Sequence, residues 1–462
     1  MSKRAGDGSA VSRRKKTKKE DRTKLKGFDE EKFTETKYYE ENGLQKVQPY
    51  YFTFTSYAKG RWIGSTIYDV FCKEFRSETP QYYEKAIKVG RVTVNGKTVG
   101  LDAVVCNNDV ICHKVHRHEP PVTATSIKIL ESNDDILVVN KPSSIPVHPC
   151  GRYRHNTVVF QLGREYGFKN LHTLHRIDRL TSGVLMFAKS ATVARKFETE
   201  IREREVIKEY VCRVQGEFPS DCVECTEPIV IVSHKIGVCR VSPDGKACRT
   251  TFYRMGYDGE TSVVKCVPYT GRMHQIRVHL QWLGFPIVND PLYNHSAWGP
   301  TRGKKGEGIE SIDTIISKLL VAEFGNDEGN SQLRAVRCSF QPLVATDTDK
   351  VAEQLPFQGA PPDTQEETGG KQIRKQSESE SSCGLCDSHQ GAGDMRTGNG
   401  YEIDADCTEC SLSRPDPQPQ DLMMYLHALR YKGPGWEYFT DMPDWARDDW
   451  KNCKETNEET KG

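Results

Sequence analysis

No run of apolar residues in this 462-residue sequence approaches the length needed to cross a bilayer, and its opening residues lack the apolar core of a secretory signal. These absences predict a soluble, intracellular protein with no membrane partner. Apolar residues are scarce overall: 36% of the chain is hydrophobic and the mean hydropathy is −0.65, too little to pack a core along the whole length. Part of the chain is therefore expected to stay unstructured. Excess charge is missing as well, with 65 basic residues against 64 acidic ones, so no global field marks a nucleic-acid binder. Cysteine is the exception. Sixteen of them without a secretory signal point to reduced thiols or metal ligands rather than disulfides, and those in strand-like runs, such as Cys212 and Cys266, read as small core residues.

The charge is unevenly distributed. Residues 1–26 hold eleven Lys or Arg against three acids, and the run Arg13-Arg14-Lys15-Lys16-Thr17-Lys18-Lys19 has almost no apolar neighbours to fold it. Eight residues separate Lys3-Arg4 from Arg13, a spacing like that of a two-part nuclear import signal, and contact with RNA phosphates fits equally well. The expected compartment is the nucleus, the cytoplasm or both.

The densest chemistry lies at His175-Arg176-Ile177-Asp178-Arg179-Leu180-Thr181-Ser182-Gly183, where an acid, two guanidiniums and two hydroxyls crowd between apolar stretches. The following Val184-Leu185-Met186-Phe187-Ala188 reads as a buried strand, so the loop returns to a sheet and leaves Asp178 at its mouth. This segment resembles the HRLD-type motif of RluA-type RNA pseudouridine synthases, with Ile177 where leucine is usual. Three further segments carry the resemblance: Asn140-Lys141-Pro142 after the strand Ile136–Val139, Thr270-Gly271-Arg272-Met273-His274-Gln275-Ile276-Arg277, and Pro286 to Tyr293 with Asn289 where glycine is common. The likeness covers roughly 123–295 and 421–446.

The organisation read from texture and resemblance is a basic tail (1–45), a small module (46–122), a catalytic domain in two parts (123–295 and 421–446), a largely unstructured insertion between them (296–420) and a C-terminal tail (447–462). In the module, helices are expected over Trp62–Phe75 and Tyr82–Val89. Gly90 to Lys97 then alternates like a strand and ends in an Asn-Gly hairpin turn. That stretch resembles the S4 RNA-binding module, in which Arg91 and Lys97 would meet phosphates. The catalytic domain should contain a helix capped by Ser190 with Val193, Phe197 and Ile201 on one face, a helix from His274 to Leu283 stopped by Gly284, and closing strands at Met424–Tyr431 and Trp436–Phe439. The implied fold class is α+β: a mainly antiparallel mixed sheet with flanking helices, preceded by the S4-like α/β module.

The resemblance also implies an activity and roles. The reaction is the redox-neutral isomerisation of uridine to pseudouridine in RNA, transfer or messenger RNA being the expected target, by a monomer needing no cofactor for catalysis. Asp178 matches the family's catalytic aspartate, Arg277 the arginine that pairs with it, and Tyr210 the tyrosine beside the base. Arg176 matches the arginine that fills the space left by the flipped nucleotide, a task suited to a planar guanidinium. Arg272 is a further RNA contact. His175, Thr181 and Ser182 are expected to brace the loop.

Two metal-ligand patterns stand apart. Cys383-Gly384-Leu385-Cys386 and Cys407-Thr408-Glu409-Cys410 are separated by twenty residues, a spacing at which four thiolates can surround one structural zinc, with free surface cysteines as the alternative. His113, His116 and His118 could also ligate a metal, although a solvated linker strand explains them better. The competing function is a non-catalytic RNA-binding protein on a synthase scaffold. A zinc deaminase would need a histidine-glutamate partner motif and a glycosidase a second carboxylate, and neither is evident.

Overall fold

The apolar runs at 136–139 and 184–188 become adjacent strands of one ten-stranded sheet in the computed structural model. It describes residues 33–75, 78–233, 236–324, 403–412, 415–447 and 450. The chain divides into two compact units, one of Met1–Phe54, Lys114–Asn326 and Ala405–Gly462, the other of Thr55–His113 and Asp327–Asp404.

The first unit carries the large sheet. Its strands are β1 (Lys128–Ser132), β2 (Ile136–Lys141), β3 (His172–Thr173), β4 (Ser182–Ala188), β5 (Ile207–Gln215), β6 (Val223–Cys225), β7 (Thr250–Tyr257), β8 (Thr261–Pro268), β9 (Leu426–Gly433) and β10 (Trp436–Phe439). They run in the order β6-β7-β8-β5-β9-β4-β2-β1, with β3 on β4 and β10 on β9. Among these pairings only β4 with β9 is parallel, so the sheet is mixed and mainly antiparallel, as the sequence implies. Although β9 follows the long segment after residue 324, it lies in the middle of the sheet, between β4 and β5. There Gly183, opposite Ala428, has φ +110, and a Cβ on it would stand 2.2 Å from the Ala428 carbonyl oxygen. Only glycine admits the closing strand at the end of the Asp178 loop.

Helices α1 (Val158–Tyr166), α2 (Ala191–Arg202), α3 (Gln275–Leu283) and α4 (Ile312–Phe324) belong to the same unit. The Ser190 hydroxyl accepts from the Val193 amide, and α2 buries Phe197 against the cluster of Leu137, Phe160, Leu185 and Phe187. A second cluster holds Cys212, Val214, Phe252, Val264, Cys266 and Leu280. Helix α3 ends at Gly284, φ +89, but starts one residue later than the periodicity predicts. His274 takes a left-handed backbone, φ +56, and stands before the helix, not in its first turn. Trp298, Ile315 and Leu319, from the segment read as insertion, are buried with Val278 of α3.

The second unit contains helices Ile67–Glu74 and Pro80–Lys88 and the hairpin Val92–Val94/Lys97–Thr98. The single helix expected from Trp62 is broken. Gly60–Trp62 forms a separate 3-10 turn, Gly64 takes φ +83, and the Thr66 hydroxyl caps the true start by accepting from the Asp69 amide. Asn95 (φ 53) and Gly96 (φ 75) close the hairpin in the left-handed pair that a two-residue turn requires. Val70, Phe71, Tyr83, Ile87 and Val92 form this unit's core. Among the described residues no helix is long and apolar enough to cross a membrane.

Candidate active site

Buried Ile177 and Leu180 flank the Asp178 turn and anchor it to the sheet. Beneath it, the fully buried Lys141 at the end of β2 donates to the carbonyls of Pro142, Ile145 and Arg179 at 2.9, 2.9 and 3.0 Å. Three acceptors match the three protons of an ammonium. The Ser143 hydroxyl donates to the Leu180 carbonyl at 2.8 Å. His175 accepts from the Met186 amide at 3.3 Å and stacks on Tyr431, while Ser182 lies 2.8 Å from Nδ1 of His427 on β9. These contacts fix the backbone on both sides of Asp178.

The carboxylate itself faces Arg277, in the first turn of α3. Arg277 Nη1 donates to Asp178 Oδ2 at 3.2 Å, and its Nε and Nη2 donate to Asp290 at 2.7 and 2.8 Å. Asp290 also accepts from the amides of Leu292 and Tyr293, so every buried oxygen has a donor. Arg277 thus has one face locked to Asp290 and one left for Asp178. Arg277 is 4% exposed, Asp290 fully buried and Asp178 28% exposed. Burial would raise the Asp178 pKa, but the neighbouring cations more than offset it and hold the value below the usual aspartate range. Asp290 is lowered in the same way by Arg277.

His274, placed by its left-handed backbone, brings Nε2 to 3.6 Å from Asp178 Oδ2. Burial and the Arg277 charge push its pKa down to about 4, so at neutral pH it is uncharged, and the charges that favour the Asp178 carboxylate are those of Arg277 and Arg176. The Tyr293 hydroxyl accepts from the Cys239 amide at 3.0 Å and lies 2.9 Å from His274 Nδ1. A hydroxyl that donates to Nδ1 goes with the imidazole proton on Nε2, the nitrogen facing Asp178. Neither His274 nor Asp290 was singled out in the sequence, although both lie inside segments that were. Spacing alone offers no sign that a histidine leaves its helix.

Tyr210 stands beside a bulge of β5 between Glu209 and Tyr210, and its hydroxyl hydrogen-bonds that of Tyr431. Burial raises its pKa to about 12. Arg176, Asp178, Tyr210, His274, Arg277 and Leu426 line one cleft of about 520 Å³. The three residues assigned chemical roles from sequence therefore share a cavity, although 99 residues separate Asp178 from Arg277.

The other assigned residues are dispersed. Arg176 is exposed at the cleft, and Arg272, also exposed, donates to the Ala247 carbonyl at 3.3 Å. In the second unit Arg91 is paired with Asp404 at 2.8 Å, whereas Lys97 is exposed in the hairpin. Cys383 and Cys386 lie outside the described residues. Cys407 and Cys410 stand beside His116 and His118. His113 is elsewhere, packed on Phe71.

The buried imidazoles predict a pH dependence of stability. Burial lowers His274 and His427 to about 4 and His175 to about 3, whereas an unfolded histidine titrates near about 6.5. Between these values the unfolded chain binds more protons, so stability is fully present above about pH 6.5 and is lost as pH falls towards the folded values. The depressed Asp178 and Asp290 act in the same sense at lower pH. Thermal melting should show a midpoint that is level near neutrality and falls steadily between about pH 6.5 and 4. A level midpoint down to pH 4 would contradict this account.

A family model described as RNA pseudouridylate synthase matches residues 135–282, the span from β2 through most of α3. The chain is 50% identical over 92% of its length to a Homo sapiens protein named Pseudouridylate synthase RPUSD2, of which it covers 77%. It is 36% identical to the Saccharomyces cerevisiae tRNA pseudouridine(32) synthase, mitochondrial, over 87% of this chain and 77% of that one. To the tRNA pseudouridine(31) synthase of the same yeast it is 30% identical, over 88% of this chain and 97% of that one. The family match and these identities, carried over most of the length of each chain, make this chain a member of the RluA-type RNA pseudouridylate synthase family, an isomerase acting on RNA and needing no cofactor for its catalysis.

Proposed function

We propose that Asp178 is the catalytic carboxylate of this synthase, that Arg277 holds it ionised and aimed, and that Tyr210 packs against the uracil. The observation that carries this reading is the shared guanidinium, bound rigidly to Asp290 and presenting its remaining edge to Asp178 at the cleft. In the reaction the bond from uracil N1 to ribose C1′ breaks, the base turns, a bond from C5 to C1′ forms, the C5 proton leaves and N1 takes up a proton, so that the product is an isomer. A carboxylate beside C1′ and C2′ serves the first step, and the Tyr210 hydroxyl, acting through water, is the candidate for removal of the C5 proton. Arg176, exposed at the rim, takes the space of the extruded nucleotide by stacking and phosphate contact. The exposed Lys97 hairpin is proposed to touch RNA phosphates as an S4-like module does. The basic N-terminal run supports nuclear import.

The RNA class proposed is transfer RNA, on the names of the two yeast relatives, which specify positions 32 and 31. The test uses the full chain with transfer RNA transcripts tritiated at uracil C5, counting tritium released to water. Release should occur and should vanish when the uridines at 31 and 32 are replaced by cytidine. Release indifferent to that replacement would overturn the target, and no release from any RNA would overturn the catalytic reading.

A further inference from the structure

Outside the cleft, one cluster joins two motifs that the sequence left separate. His116 is in the last residues of the strand Val110–Arg117, and His118 follows two positions on, the period that puts side chains on one face. Their rings are 5.0 Å apart. Cys407 and Cys410, from the turn that precedes the return to β9, lie against them. Cys410 Sγ is 3.3 Å from His116 Nδ1 and 3.3 Å from His118 Nε2. Cys407 Sγ is 3.8 Å from the His116 carbonyl, and one ligand atom of each residue falls within 4.8 Å of every other.

From this geometry we propose that His116, His118, Cys407 and Cys410 bind one zinc ion in a closed tetrahedral site. With zinc–sulfur bonds of about 2.3 Å and zinc–nitrogen bonds of about 2.0 Å, ligand atoms of a tetrahedron stand about 3.3 to 3.8 Å apart, and about 3.5 Å for a sulfur–nitrogen pair, close to the 3.3 Å found here. Two thiol protons leave as the ion binds, so two thiolates and two neutral imidazoles around Zn²⁺ make a site of zero net charge. A neutral unit suits a half-buried location better than free thiolates or imidazolium would. Four protein ligands leave no open position, so the ion is structural. The fourfold cysteine set expected from spacing is replaced by a mixed one, in which Cys383 and Cys386 take no part.

The site has a defined mechanical effect. Glu409, between the two cysteines, pairs with Arg152 at 3.0 Å, and Arg117, between the two histidines, donates to the carbonyls of Gly151 and Arg152 at 3.1 Å. Tyr153 of that loop lies under the guanidinium of Arg179, next to Asp178. An ion joining 116–118 to 407–410 therefore ties the end of the long segment to the loop beside the catalytic turn, and positions the chain before it enters β9.

The test is elemental analysis of the full chain purified under reducing conditions, with cobalt(II) substitution of the same protein. One zinc per chain is expected, lost in Cys410→Ser and in His118→Ala and retained in Cys383→Ser/Cys386→Ser. Cobalt should give a tetrahedral spectrum with charge-transfer intensity for two thiolates, a readout on the unaltered chain that holds even if a variant fails to fold. Absence of stoichiometric metal after loading would overturn the proposal. So would loss of zinc in the Cys383→Ser/Cys386→Ser variant, or a cobalt spectrum of four thiolates, either of which would assign the ion to the four-cysteine set.

Discussion

Asp178→Asn should abolish pseudouridine formation, by a factor of about 10³ or more, while leaving the chain folded and able to bind RNA. The amide keeps the size of the carboxylate but removes the charge and the basic oxygen that a step at C1′ or C2′ requires. Folding should survive because Asp178 is the partly exposed member of its cluster, at 28%, and Arg277 retains both bonds to Asp290. The measurement is tritium release beside a binding assay and a melting curve. A variant within about tenfold of the parent would remove Asp178 from the chemistry, because loss of a positioned acid or base ordinarily costs about 10² to 10⁴.

Arg277→Met should have the largest effect on stability. It leaves Asp290, fully buried and with no other cation in contact among the described residues, as an unpaired charge, a change that costs about 3 to 5 kcal/mol. The same substitution releases Asp178 from its counter-charge, so its pKa rises and activity falls with it. Arg277→Met/Asp290→Asn separates the two effects. The neutral amide oxygen can still accept from the amides of Leu292 and Tyr293, so most of the lost stability should return, yet turnover should not. Urea denaturation and tritium release on both variants check this. Equal stability of the single and double variants would show that Asp290 does not depend on Arg277 for its charge.

Much of the fold was legible because its cues are local. Four consecutive apolar residues at 136–139, a serine hydroxyl before an amphipathic stretch at 190, and an Asn-Gly pair at 95–96 each act within a few residues, and each formed the element expected. The misreadings came where one residue's backbone overrode a pattern: Gly64 and Thr66 split the helix drawn from Trp62, and His274 left the helix whose periodicity it matched. The Asp178 turn was visible as polar density between apolar stretches, but its supports were not. Lys141 and Asp290 act through the carbonyls and guanidinium they hold, and no spacing rule reports a partner that is distant along the chain.

The sequence by itself determined the residue types of the chemistry and the strands and helices that carry them, because propensity, capping and turn geometry are short-range effects. Only the tertiary structure decided which of those residues meet. It seated β9 beside Gly183 after a long excursion, turned His274 towards Asp178, and set two cysteines beside two histidines. Such contacts depend on how the sheet closes, and closure is a property of the packed chain as a whole.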